Sequence, residues 1–261
     1  MQHKLGDTEI AISTIHKYIK EMKLLTPYAI ISLSDTMIEI SLDLDNFDNA
    51  YKFIELKKTF LPISKMNLYL KDMIKYLLKK GDIDEAKETL LKYLKDDISK
   101  EEAIMAKEEL SNIYYSLGEY DNFIELTEGL LDIYQSKLDL DKEAYLNIKL
   151  LNIAYKKKNY IKVVSEVNKI IPNFDNPKVL LELANLAMKA YIELNDYKKA
   201  SIFESNYEEY VSENSVEESK AFLETAINLY HMLNSRVAAN ELQSVLNSLT
   251  KEKNEPKKKK K

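Results

Sequence analysis

Residues 110–123 read LSNIYYSLGEYDNF, and residues 150–163 read LLNIAYKKKNYIKV. Each phrase sets an Asn three residues ahead of an aromatic, breaks at a polar step, and reopens on a Tyr that begins another apolar run. The second half of the phrase recurs along the chain. It reads GDTEIA from Gly6, DNFDNA from Asp45, GDIDEA from Gly81, GEYDNF from Gly118, KNYIKV from Lys158, NDYKKA from Asn195 and NSRVAA from Asn234. These seven starts lie 36 to 40 residues apart. A regular period of that size is the signature of stacked supersecondary units.

The phrase has a direct physical reading. Gly, Asn or Asp at its head tolerates the left-handed backbone that ends a helix and turns the chain. Its sixth residue is Ala11, Ala50, Ala86, Ala200 or Ala239 in five units, with Phe123 and Val163 in the others; a small residue there lets two helices approach closely. Apolar residues on either side recur at three- and four-residue spacing, for example Leu110, Ile113, Tyr114 and Leu117 before one turn and Ile124, Leu130 and Leu131 after it. Each unit is therefore a helical hairpin, and a hairpin that cannot bury its own apolar stripe must stack on the next. The pattern predicts helices over 9–23, 28–43, 48–60, 65–80, 84–96, 100–117, 121–136, 141–157, 161–171, 177–193, 198–213, 216–233 and 236–250, and no strand. Ser99 with Glu102 and Ser215 with Glu218 read as capping boxes, and Asn176-Pro177 as a cap followed by Pro in the first turn.

Composition agrees. The 261 residues are 45% apolar, enough for a sizeable core, and contain only four Gly and five Pro, too few for the many turns of a sheet-rich fold. The net charge is −5, and −10 ahead of the five terminal lysines Lys257 to Lys261. An acidic body with a single Arg, Arg236, lacks the clustered cations and bidentate guanidinium groups that hold phosphate, so nucleic acid is not expected as the main partner. There is no Cys, which excludes disulfides and thiolate chemistry. No apolar leader opens the chain and no apolar run approaches the ~20 residues of a membrane span, so a cytoplasmic location is expected. His3, His16 and His231 fall in different units with no metal-ligand spacing, no phosphate-binding loop or nucleophile elbow occurs, and adjacent pairs such as Glu108-Glu109 point apart on a helix. An enzyme is not expected, nor any cofactor or metal.

The units resemble those of the tetratricopeptide repeat family. The matching residues are the mid-unit Gly-x-aromatic/apolar-x-x-Ala turn and, before it, Leu110-Ser111-x-x-Tyr114, where the family has Leu-Gly-x-x-Tyr. The likeness covers nearly the whole chain. The period is longer than the family's ~34 residues, no Trp opens any unit, and the Pro expected near a unit's end appears only around Pro62 and Pro172. The resemblance implies an all-α, right-handed superhelical α-solenoid of about seven helix-turn-helix hairpins over residues 1–251, with turns near 6, 45, 81, 118, 158, 195 and 234. Only five residues precede Gly6, so the first unit is expected to lack its first helix. Residues 252–261, KEKNEPKKKKK with the preceding Lys251, read as a disordered tail, either solubilising or drawn to anionic lipid or RNA.

In such a stack the first helices line the concave face. Six residues before the turn stand Glu39, Lys75, Asn112, Asn152, Lys189 and Asn228; three residues further on in the last four units are Tyr115, Tyr155, Ile192 and His231. Offsets of three share a helix face, so a run of Asn is expected beside a run of aromatics, with Asn185 one turn from Lys189. An Asn amide offers both donor and acceptor to an extended peptide backbone. The resemblance implies that Asn112, Asn152 and Asn228 grip ligand backbone in this way; ordinary solvated surface is the other reading of the same residues. The candidate partner-binding set is Asn112, Tyr115, Asn152, Tyr155, Asn185, Lys189, Asn228 and His231. The expected function is a non-enzymatic peptide- or protein-binding scaffold or adaptor. The alternative is a peptide-sensing regulatory module of a larger bacterial signalling or transcription-regulatory protein, since the likeness extends to bacterial peptide-pheromone receptors; an accessory region of a larger enzyme is a third. The apolar stripe of the last helix, Val237, Leu242, Val245, Leu246 and Leu249, makes a homodimer through uncapped ends a further expectation.

Overall fold

The computed structural model describes residues 26–252. These residues form twelve α-helices and no strand. In chain order they are α1 (Pro27–Asp43), α2 (Phe47–Phe60), α3 (Met66–Lys80), α4 (Ile83–Tyr93), α5 (Lys100–Leu117), α6 (Tyr120–Lys137), α7 (Leu140–Lys156), α8 (Tyr160–Ile170), α9 (Pro177–Glu193), α10 (Tyr197–Tyr207), α11 (Val216–Met232) and α12 (Arg236–Glu252). They pair into six hairpins at the predicted turns. The expected turn at Gly6, the helix over 9–23 and the tail beyond Glu252 lie outside the described residues. No helix among the described residues is long and apolar enough to cross a membrane.

All six turns are built alike. The residue at the head of the phrase has positive φ: Asp45 52°, Gly81 89°, Gly118 73°, Lys158 58°, Asn195 58° and Asn234 57°. In each, the next residue's N–H reaches back to a carbonyl in the last turn of the first helix, as Asp82 to Leu77 and Glu119 to Tyr114, both at 2.9 Å. This is the Schellman arrangement, which satisfies carbonyls that the helix end would orphan. A Cβ added to Gly81 or Gly118 would meet open space, so glycine stands there for its backbone angle alone. The second residue of the phrase then caps the second helix. Asn46, Asn159 and Asp196 each accept from a backbone N–H three residues on, at 3.2, 3.3 and 3.3 Å. The sixth residue is fully or almost fully buried in every described unit: Ala50, Ala86, Phe123, Val163 and Ala200 at 0% exposure and Ala239 at 1%. The capping box at Ser99 and Glu102 forms as expected, and Asn176 caps α9 through the Lys178 N–H at 3.0 Å.

Two helices end earlier than the apolar pattern suggests. α4 stops at Tyr93, before Asp96 and Asp97, and α10 stops at Tyr207, where Glu208–Glu213 continues as a 3₁₀ segment. Acidic side chains at a helix C-terminus oppose its negative pole, and periodicity does not register that term. A seventh left-handed residue, Leu138 (φ 55°), joins α6 to α7 with its side chain 81% exposed. A side chain there carries the steric cost of the left-handed region without a packing return. Leu138→Gly is expected to raise stability by about 0.5–1 kcal/mol after the extra chain entropy of glycine is subtracted. A shifted midpoint in chemical denaturation reads this directly, and a loss of stability would mean that Leu138 packs on something.

Packing falls into two compact units, the first ending at Leu126 and the second starting at Thr127, within α6. In the first unit each helix packs on the next from α1 to α5, and α1 also touches α3. Its core includes Met37, Ile38, Ile54, Leu77 and Leu90. Lys57 of α2 is 4% exposed, and its Nζ lies 2.5 Å from carboxylate oxygens of both Asp35 in α1 and Asp72 in α3. In the second unit the first helices α7, α9 and α11 lie side by side in one layer, with α9 packed against both α7 and α11. Twelve of the 17 residues of α9 are buried, Leu183, Ala184, Ala187 and Met188 completely. Most of the last helix's stripe is covered: Leu246 is buried, Leu242 and Leu249 pack against the core, and Val237 and Val245 are exposed. Glu204 of α10 is buried and accepts from the Tyr230 hydroxyl at 2.8 Å. Burial, reinforced by that carboxylate, pushes Tyr230 up to about 12.

Candidate peptide-binding face

The layer of α7, α9 and α11 holds an open cleft of about 360 Å³. Tyr155 contributes from α7, Lys189, Ile192 and Glu193 from α9, and Ala221, Glu224, Thr225 and Asn228 from α11. Three of the residues expected from sequence, Tyr155, Lys189 and Asn228, thus meet in one place. Lys189 is half-buried and has no carboxylate partner among the described residues. Asn228 is exposed. Thr225 donates its hydroxyl to the Ala221 carbonyl at 3.0 Å, which leaves oxygen lone pairs and no proton for a ligand. Glu224 lies 3.6 Å from Lys220.

The remaining expected residues stand differently. Asn152 is half-buried and donates its amide to the Ile148 carbonyl of its own helix at 3.0 Å. Asn185 is only 8% exposed, and its Oδ1 has no hydrogen-bond partner; it belongs to the packed side of α9 rather than the cleft wall. His231 is exposed in the last turn of α11, and its carbonyl accepts from the Asn234 N–H at 3.1 Å. Asn112 and Tyr115 lie half-buried on α5, outside the second unit.

The aromatic that follows each Asn has a clear local task. Tyr115 meets Tyr120 and Phe123 with ring centroids 6.1 and 5.3 Å apart. Tyr155 meets Tyr160 at 5.2 Å with ring planes 61° apart. In both hairpins the Tyr before the turn leans on the Tyr that opens the second helix. The two copies of the opening phrase are alike because each closes its own hairpin in this way. Tyr155 does a second thing: its hydroxyl donates to Glu193 Oε1 at 3.4 Å. Burial, then the charge of Glu193, holds that hydroxyl above its usual range.

Glu193, Ala221, Glu224 and Thr225 were not legible as cleft residues from the repeat. Aligning units by distance from the turn makes level rungs, whereas α11 meets Lys189 with residues one and two turns earlier in its own count. Glu193, the last residue of α9, shows in sequence only as an acid two positions before its turn residue.

A second cleft, of about 160 Å³, lies in the first unit between α3, α4 and α5. Its floor is apolar, with Ile74, Leu78 and Leu90, and its rim carries Lys71 and Lys75 on one side and Glu108 and Glu109 on the other. None of the expected site residues lines it. Among the described residues no cluster of His, Asp and Glu could hold a metal ion.

No protein-family model matches the sequence, and no curated protein matches it. Solved structures do. A signal transduction ATPase with numerous domains and a tetratricopeptide repeat sensor, from Pyrococcus horikoshii, superposes with a TM-score of 0.69 at 15% identity over 97% of this chain. This chain spans 41% of that protein's length. The C-terminal part of a repeat-containing protein of the same class from Cytophaga hutchinsonii gives 0.66 at 17% identity, covering 95% of this chain and 92% of that one. BtubC from P. vanneervenii gives 0.58 at 13% identity, over 91% and 96%. The fold of this chain is accordingly that of a tetratricopeptide-repeat-like stack of helical hairpins.

Proposed function

We propose that the chain is a non-catalytic scaffold or adaptor that binds an extended peptide, or an extended segment of a protein, along the layer of α7, α9 and α11. The observation that carries this reading is the meeting of Tyr155, Lys189 and Asn228 in one open cleft. An amide at the wall can pair with both polar groups of a peptide unit. An uncompensated, half-buried cation beside it gains from any acceptor that a ligand brings. Tyrosine and Ile192 supply apolar contact at small entropic cost. A soluble protein partner in the cytoplasm, with neither cofactor nor nucleic acid required, fits this surface, and Asn112, Asn152, Asn185 and His231 are secondary contacts at most.

The test is selection from a random peptide library against the intact chain, followed by affinity measurement with Lys189→Ala/Asn228→Ala. Both side chains are at least partly solvated, so helicity by circular dichroism is expected to be unchanged. Affinity is expected to fall about tenfold or more. Selection of nothing, or equal affinity of the double variant, would overturn the reading.

A second reading, a ligand-sensing module of a larger bacterial regulatory protein, is favoured by the match to one part of an ATPase that carries a tetratricopeptide repeat sensor. Reading the full gene separates the two: an effector domain in the same frame supports the sensor, and a frame with none supports the adaptor.

A further inference from the structure

Glu193 is the last residue of α9. A helix C-terminus carries partial negative charge, so a carboxylate there sits against the local field. None of the described lysines neutralises it. Lys189, one turn earlier on the same helix, makes no ion pair with it, whereas Glu224 on the facing helix has Lys220 at 3.6 Å. What surrounds Glu193 instead is aromatic. The Tyr155 hydroxyl donates to it at 3.4 Å, and burial, then the charge of Glu193, holds the Tyr160 hydroxyl above its usual range. The two rings meet edge to face at 5.2 Å. Ring faces are the negative side of an aromatic quadrupole. One corner of the cleft thus combines an exposed carboxylate, a negative helix end and the Tyr155 ring, on which Tyr160 packs, and the carboxylate there makes no ion pair with Lys189.

We propose that this corner receives the basic side chain, lysine or arginine, of the bound peptide. The inference rests on the reading of the cleft as a peptide site and names the chemistry that the peptide must carry. A bare metal ion is a poor occupant, because one carboxylate and no further ligand cluster stand there. An ammonium or guanidinium group fits better. Its N–H donors satisfy the carboxylate, and its charge can lie over a tyrosine face. Lys189 and Asn228, elsewhere in the same cleft, remain for the peptide main chain, so position and side-chain preference are read by different residues.

The experiment is the same library selection run in parallel on the unmodified chain, on Glu193→Gln and on Glu193→Lys. Peptides selected by the unmodified chain are expected to share a lysine or arginine at one fixed position. Their affinity is expected to fall about threefold to fivefold on Glu193→Gln, the size of a lost exposed charge contact with the tyrosine faces still in place. Glu193→Lys is expected to select aspartate or glutamate at that position instead, a gain that a misfolded protein cannot produce. If peptides are selected but show no basic preference, or if the Glu193→Lys preference is unchanged, the inference is overturned and the peptide-binding reading stands. If no peptide is selected at all, both fall together.

Discussion

Lys57→Ala is expected to destabilise the chain by about 3–5 kcal/mol, because it leaves two carboxylates facing a buried position with no counter-charge. Lys57 is 4% exposed and ties α2 to Asp35 in α1 and to Asp72 in α3, both at 2.5 Å. Asp72 is the more enclosed of the two, with 15% of its side chain exposed against 50% for Asp35. Burial alone would lower the lysine's affinity for its proton. The hydrogen bonds and charges of Asp35 and Asp72 together outweigh it and hold Lys57 above its ordinary range. A cation bound more tightly in the folded than in the unfolded chain contributes stability below the unfolded value and loses it as pH rises through the folded one. The contribution of Lys57 is therefore expected to be intact at neutral pH and to fade at alkaline pH beyond the usual lysine range; burial also holds Asp72 above the usual carboxylate range, so the pair is lost from the acid side too, as Asp72 takes up its proton. Urea midpoints of the unmodified chain and Lys57→Ala should converge at the alkaline end. The paired change Lys57→Met with Asp72→Leu, which removes charges on both sides, should recover much of the loss at neutral pH. A cost below about 1 kcal/mol for Lys57→Ala would put the triad in the class of surface pairs and defeat the argument.

Phe123→Ala is the second large effect, also about 3–5 kcal/mol. On consensus alone this substitution would look harmless, since five of the seven units carry Ala at the same place. Physically it is not. Phe123 is fully buried and packs on Tyr115 at 5.3 Å. That hairpin has been built around a large residue, and its neighbours can only partly fill the space left behind. Thermal or urea unfolding of Phe123→Ala reads the cost, and a loss below about 1 kcal/mol would show that the helices close up to the spacing of the Ala units. The comparison warns against treating repeats as interchangeable parts. The turn geometry is shared, and the packing beneath it is particular to each unit.

The same contrast marks what the sequence made legible. Left-handed turn positions depend on local backbone chemistry, so they repeat visibly, and all six described turns fall where the phrase begins. Helix spans follow from periodicity and were readable to within a residue or two, apart from the acidic ends of α4 and α10. Site residues depend on how neighbouring hairpins are staggered, which no single unit records. Tyr155, Lys189 and Asn228 line one cleft because they sit at compatible heights on neighbouring helices. Asn152 has the same offset from its turn as Asn228, yet its amide serves its own helix. Asn185 lies on the right helix but is buried. Glu193 was missed because its setting comes from tyrosines on another hairpin.

The neighbour-only packing has a consequence for how each unit assembles. Within each unit, the described helices in extensive contact are adjacent or next but one in sequence. Loops closed on folding are therefore short, and each closure costs little chain entropy. Low contact order of this kind belongs with fast folding. It also lets an end hairpin open while the remainder stays closed, since no distant partner is lost with it. Within the second unit that fraying has a natural stop at α9, whose twelve buried residues engage a helix on either side. The cleft is built on that pillar, so its central wall belongs to the part of the unit that opens last.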